Sequence, residues 1–339
     1  MSFQNAFLGS LVADAVSMPV HWYYNTHSLD LDYGDFDNYQ KPKNPHPDSI
    51  LWRSHYFPEN KKSDILHGQQ KYWGLRDIHY HQFLEAGENT LNLQLSAELY
   101  RQIILDGEFN IENWLRRYTE VMLTPGWHND TYVEEYHRAF FRNYGRGKSL
   151  HACATKDYHI GSLSLIPGLF AGLEAIDHLE PAYLIESALK LVRSTHDDDR
   201  AFRATADFAR ILINLSKGYS IRETMESLPL PCLSLKKLKK WQSLDDRKVV
   251  GETLSTACYL PESFVASLFF AWKYESDFSS GILSNAKVGG DNCHRGVVAG
   301  SMLGIQNGVP NFWLSGLKMM NKLRCDFQLI ERPQLKRAS

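Results

Sequence analysis

The segment Gly289-Gly290-Asp291-Asn292-Cys293-His294 sets a carboxylate, a thiol and an imidazole within four positions. These are the groups of nucleophilic catalysis and of metal coordination. A thiolate attacks carbon or binds soft ions, an imidazole moves protons, and a carboxylate orients the imidazole or holds a cation. The two glycines ahead of them permit backbone geometry closed to other residues. Behind them, residues 297–308 are apolar and rich in small side chains, the pattern of a buried helix. Polar groups at the mouth of such a helix cost free energy unless they are paired or bound. That cost marks the segment as a candidate site.

More residues of this kind stand at the mouths of other predicted helices: His21, Glu88, Thr90, Asn92, and His196 followed by Asp197 to Asp199. Each alone has a structural explanation. Thr90 and Asn92 suit a helix start; His196 suits a helix end and Asp197 to Asp199 the start of the next. Asp14, a lone acid in an apolar stripe, reads as a satisfied structural group.

The elements that must position these groups are helices. Residues 3–20 show a helical recurrence that Pro19 ends near Met18. Segments 90–104, 110–123, 131–143, 162–172, 181–195, 200–217, 262–274, 297–306 and 312–322 read the same way, and 65–73 as a short helix. Residues 25–60 show no period but carry many aromatics, which predicts an ordered cover over a pocket. The basic run within 230–240 reads as a solvated face, and the polar 331–339 as a frayed tail. Strand-like alternation is scarce, with no fixed repeat or linker. An all-α fold in one domain over 1–330 is expected.

Composition fits this reading. The chain has 339 residues, 43% hydrophobic and 22% charged, with a net charge of -2. That balance gives no electrostatic reason to expect nucleic acid or a membrane as partner, and no apolar run approaches a membrane span. The first fifteen residues read as a helix of the fold and not as a leader. Five cysteines without framework spacing suggest reduced thiols, hence a cytoplasmic protein.

The order of the motifs resembles the ADP-ribosylglycohydrolase family, including its dinitrogenase-reductase-activating and J1-crystallin branches. The family opens with a helix of the form GDALGAPVE, and residues 13–21 read ADAVSMPVH. Its TDDT motif is matched by Thr90-Leu91-Asn92-Leu93, and its GGDTDT motif by Gly289 to His294, followed by an AGALLGA-like helix at 299–305. A family histidine before an acidic stretch is matched by His196. The resemblance implies an orthogonal helical bundle, a pair of magnesium or manganese ions held by carboxylates, and cleavage at the anomeric carbon of ADP-ribose. It implies metal contacts from Thr90, Asn92 and Asp291, and substrate contacts from Glu88, Trp22, His196 and Gly290. A nucleotide, a ribose-type ligand or an ADP-ribosylated substrate would be the partner.

The family acids are largely replaced. His21 stands for the glutamate of the first motif, Leu91 and Asn92 for the aspartates of the second, and Cys293 and His294 for the last aspartate and threonine of the third. One carboxylate, a threonine and an amide are too few for two hard cations. Three readings follow. Cys293 acts as nucleophile with His21 or His294 as base, Asn92 or Asp291 as orienter, and a depressed thiol pKa. Alternatively, Cys293, Asp291 and a histidine hold one Zn²⁺ or Fe²⁺ in place of the family Mg²⁺. In the third reading the chain is a ribose-binding pseudoenzyme or a crystallin-like structural protein, with Cys293 as core. A wet pocket around Cys293 favours the first two, a filled one the third.

Overall fold

The computed structural model describes residues 2–323, so the 331–339 tail lies outside the described residues. In chain order the α-helices are α1 (Phe3–Ser17), α2 (Thr26–Tyr33), α3 (Leu91–Asp106), α4 (Ile111–Met122), α5 (Glu135–Gly145), α6 (Ile166–Ala175) and α7 (Pro181–Arg193). They continue with α8 (Asp199–Ser216), α9 (Ile221–Ser227), α10 (Leu235–Trp241), α11 (Glu262–Lys273), α12 (Phe278–Lys287), α13 (Asn292–Asn307) and α14 (Asn311–Gly316). Among the described residues β-structure is limited to isolated bridges, such as Thr155 with His196 and His159 with Tyr259. The all-α expectation holds.

Helices α1 and α13 are the axis of the molecule. Both are buried on nearly every face, and a helix apolar all round belongs in a core. They lie backbone to backbone because small residues face each other: a Cβ on Gly9 would stand 2.2 Å from the Gly300 carbonyl oxygen. Helices α3, α6, α8, α11 and α12 pack around this pair, and one contiguous apolar core runs from Phe3 to Leu323. No described helix is long and apolar enough to cross a membrane.

Several expectations change. The 25–60 segment contains α2, whose start is capped by Asn25 Oδ1 accepting from the amides of His27 and Ser28. Its mostly polar surface hid the period, since only Leu29 and Tyr33 are buried. Residues 67–72 form a 3₁₀ turn, and α5 starts at Glu135, four residues later than expected from 131. The short helices α9, α10 and α12 carry no pattern that the sequence reading recognised. Most consequential, α13 begins at Asn292, so Cys293 and His294 lie in its first turn and not ahead of it.

Candidate active site

The loop before α13 is held by its glycines and by a buried cation. Gly289 and Gly290 have φ of 72° and 63°, and a Cβ on either would lie within 2.3 Å of the Tyr23 or Thr256 carbonyl oxygen. The Trp22 amide donates to Gly290 O at 2.8 Å, and the Gly290 amide to Tyr23 O at 2.6 Å. Arg295 is buried and donates to Gly289 O at 2.8 Å and to Asn285 Oδ1 at 2.7 Å. This clamp joins the end of α1 to the start of α13 and delivers His21 beside Asp291.

Around Asp291 the side chains form one buried chain of hydrogen-bonding groups. His21 Nε2 lies 2.9 Å from Asp291 Oδ1, and His294 Nδ1 lies 2.6 Å from the same oxygen. Behind His21, its Nδ1 meets His81 Nε2 at 2.8 Å, and His81 Nδ1 meets Asp130 Oδ1 at 2.6 Å. Asp130 Oδ2 also accepts from the Leu91 amide at 2.6 Å, which ties the relay to the start of α3. Behind His294, its Nε2 lies 3.1 Å from Glu134 Oε1 and 2.7 Å from Asn92 Nδ2. Asn92 Oδ1 accepts from Tyr136 Oη at 2.6 Å and from His137 Nε2 at 2.9 Å.

The electrostatics follow from burial opposed by pairing. Burial pulls the His294 imidazole down, but Asp291 and Glu134 outweigh it and hold its pKa up, at about 10. For His21 burial wins, and its pKa falls to about 3 despite Asp291. Burial pushes both Asp291 and Glu134 up, and the neighbouring imidazoles, His294 foremost, bring them below the usual carboxylate range. Asp291 Oδ2 keeps no hydrogen-bond partner; His159 Nε2 stands 4.0 Å from it. Gly161 N donates to His159 Nδ1 at 2.8 Å, which places the His159 proton on Nε2, toward Asp291.

The whole cluster is enclosed. His21, Asn92 and Asp291 are fully buried, and Trp22 stacks on His21 with ring centroids 3.8 Å apart. Trp22 holds φ at 61°, a strained conformation for a non-glycine residue. Near Asp291 stand His159 and the half-buried Cys258, and Tyr259, exposed like Tyr24, bridges to His159. Tyr158 packs 5.1 Å from Tyr259, with the Arg200 guanidinium over its face.

Of the residues expected from sequence, His21, Asn92, Asp291, His294, Trp22 and Gly290 come together here. Cys293 does not. Successive residues of a helix point about 100° apart, so Cys293 turns to the core against Met18 and Leu84, with Sγ 3.8 Å from the Asp14 carbonyl oxygen. Burial raises its pKa well above the ordinary thiol value, which corrects the expectation of a depressed one. Its side chain is fully buried. Thr90 stands at the cap position of α3, but its hydroxyl donates to Asp14 Oδ1 at 2.7 Å instead of capping. Asp14 is thus a satisfied structural acid, also receiving the Thr90 amide and Asn89 Nδ2. Glu88 accepts from the Glu85 amide at 2.7 Å, away from the cluster. His196 lies behind Tyr136, ring centroids 4.5 Å apart, with Nε2 unpartnered beside a cavity of about 20 Å³.

Sequence reasoning missed His81, Asp130, Glu134, His137, His159 and Cys258. Asp130 and Glu134 lie in an aperiodic stretch read as the start of a helix. Their signal was polar side chains just before an apolar period, the pattern already used for Thr90.

The profile of the ADP-ribosylglycohydrolase family matches residues 2–338. The chain belongs to the ADP-ribosylglycohydrolase family. Crystallin J1A of Tripedalia cystophora is similar to it, 22% identical over 326 residues that cover 94% of this chain and 92% of that protein. A solved structure described as an ADP-ribosylglycohydrolase-related protein complex shares the fold. Its TM-score is 0.61 at 18% identity, covering 97% of this chain and 96% of its own.

A pair of hard cations, which the family resemblance implies, does not fit this member. Hard divalent ions take six or more oxygen ligands, mostly carboxylate, carbonyl and water. The Thr90 hydroxyl is committed to Asp14, and the Asn92 amide to Glu134, Tyr136 and His137. Asp291 Oδ1 faces imidazoles on both sides. For this ADP-ribosylglycohydrolase family member the donor set is imidazole-rich, and no step is derived through magnesium.

Proposed function

We propose that this chain is a hydrolase of a ribosyl or ADP-ribosyl N- or O-glycosidic bond, with Asp291 at the centre of the site. The observation that carries this reading is the Asp291 carboxylate: one oxygen is locked by His21 and His294, while the other has no hydrogen-bond partner. Glycosidic cleavage builds positive charge on the anomeric carbon, and a fixed, ionised carboxylate stabilises it. His159 Nε2–H, beside that free oxygen, is a donor for a ribose hydroxyl. Tyr24, Tyr158 and Tyr259 offer faces on which a base can stack. Opening would require Trp22 or the tyrosines to move, and the strained backbone of Trp22 suits that role.

A second reading is a ribose- or nucleotide-binding or structural protein without turnover. The enclosure of His21, Asn92 and Asp291 favours it, as does the similarity to Crystallin J1A. The experiment is a panel of ADP-ribosylated arginine, serine and acyl-linked substrates, read by released ADP-ribose, beside calorimetry with ADP-ribose. Release on any of them supports the hydrolase. Binding without release favours the second reading, and neither binding nor release leaves only the structural role.

A further inference from the structure

A surface cleft of about 670 Å³ runs along α8, and none of His21, Asn92, Asp291 or His294 lines it. Its rim is basic: Arg193 at the end of α7 and Arg200, Arg203 and Arg210 of α8 line it, and all four are exposed. Two of them are already matched, Arg200 with Asp198 at 2.8 Å and Arg210 with Asp207 at 3.0 Å. Arg203 has no ion-pair partner among the described residues, and Arg193 lies over the Phe202 ring, 5.0 Å from its centroid. Beside Asp207, Asp199 is the other lining carboxylate among the described residues.

The floor is apolar. Phe264 and Ala204 are buried on it, and Leu189 and Phe202 are half-buried. The far wall is a turn in which the Leu233 amide donates to Leu230 O at 3.0 Å, framed by Pro229 and Pro231. Proline fixes φ, so this wall is set before anything binds. The basic run noted in the sequence follows the wall directly as α10, with Lys236 and Lys237 exposed, and adds to the positive field.

The arrangement selects its occupant. From Arg200 to Arg210 the helix rises about 15 Å, so the cations form a row and do not surround a point. A phosphate or small metabolite is held by donors that converge. The convergent amides nearby are those at the start of α8, and the Asp198 carboxylate closes them by accepting from the Arg200 amide at 2.9 Å. A row of cations beside an apolar trough fits an extended chain. About five residues at roughly 3.3 Å each cover that length, with alternate side chains turned to the floor and to the rim.

We propose that the cleft along α8 docks an extended segment of a partner protein, with apolar side chains on the floor and carboxylates at Arg193 and Arg203. The floor supplies affinity by burial, and the guanidiniums fix register through forked bonds to carboxylates. Arg200 links the cleft to the tyrosines named above, its guanidinium 3.3 Å from the Tyr158 ring centroid. The proposal goes beyond the hydrolase reading and does not need turnover.

Its test reads binding alone. The full chain is panned against phage-displayed random heptapeptides, and enriched sequences are synthesised with a fluorophore and titrated by anisotropy. The expected sequences combine aspartate or glutamate with leucine, isoleucine or phenylalanine, and their affinity weakens as salt is raised. Affinity should fall about 10-fold or more in Arg193→Glu and in Arg203→Glu. Lys61→Glu, the same charge change at an exposed residue off the cleft lining, should bind as wild type does. Circular dichroism checks each variant, and Arg203→Ala replaces any that does not fold. No enrichment, enriched peptides without acidic residues, or binding indifferent to both arginines would each overturn the proposal. Uptake of anilinonaphthalene sulfonate that Arg203→Glu abolishes, with no peptide enriched, would assign the cleft to a small amphipathic anion and overturn it as well.

Discussion

Cys293 and His294 are neighbours in sequence and face opposite environments: the Cys293 thiol packs on Met18 and Leu84, while His294 Nδ1 lies 2.6 Å from Asp291 Oδ1. One helical step separates a core residue from a site residue. A buried thiol with a raised pKa is a poor nucleophile. In the native protein Cys293 should resist iodoacetamide at neutral pH and react only after denaturation. Cys293→Ala should keep the fold at a cost of about 1–2 kcal/mol. Rapid, selective alkylation of Cys293 in folded protein, seen by peptide mass spectrometry, would contradict this.

Gly290 is fixed by both conformation and space. At φ 63°, with Thr256 O 2.3 Å from any added Cβ, Gly290→Ala should lose about 3 kcal/mol or more. The urea midpoint checks it. A loss under about 1 kcal/mol would mean the Trp22–Gly290 clamp is softer than its geometry.

Asn92 joins both halves of the network, donating to Glu134 and accepting from Tyr136 and His137. Asn92→Ala leaves those three buried groups with unmade hydrogen bonds, and should cost roughly 3–5 kcal/mol. Asn92→Leu should not recover it, because lost bonds and not lost volume cause the damage. Recovery by Leu in thermal unfolding would assign Asn92 a packing role.

His137 is buried neutral, its pKa brought down to about 3 mainly by burial. A base with a depressed folded pKa takes up protons more readily when unfolded. Its contribution is therefore intact above the unfolded value near 6.5 and declines as pH falls toward 3. Its share of the loss is at most about 1.4 kcal/mol per pH unit. Chemical denaturation between pH 8 and 4 should show stability falling below about 6.5, and a folded His137→Gln variant should show a shallower fall. Identical slopes would exclude His137 as a source.

Much of the fold was legible. The helical recurrence over 3–20 and the apolar, small-residue run from 297 identified the two helices that prove central, because burial on nearly every face leaves its mark on composition. The site was legible in part. Asp291, His294, His21 and Asn92 stood out as polar groups at helix mouths. Their partners His81, Asp130, Glu134 and His159 come from irregular segments, where no period distinguishes a residue facing inward from one facing solvent. The position of Cys293 was misread because the start of α13 was placed five residues late, and a helix start fixes which way each side chain of its first turn points.

The most direct test of the account compares Asp291→Asn with wild type on whichever substrate the panel identifies. The substitution keeps size and removes the charge that would meet the anomeric carbon. The account predicts a folded variant with kcat/KM lower by about 1,000-fold, the loss falling on kcat more than on KM. A folded Asp291→Asn protein that turns over within a few-fold of wild type would contradict it, and would move the catalytic centre away from Asp291.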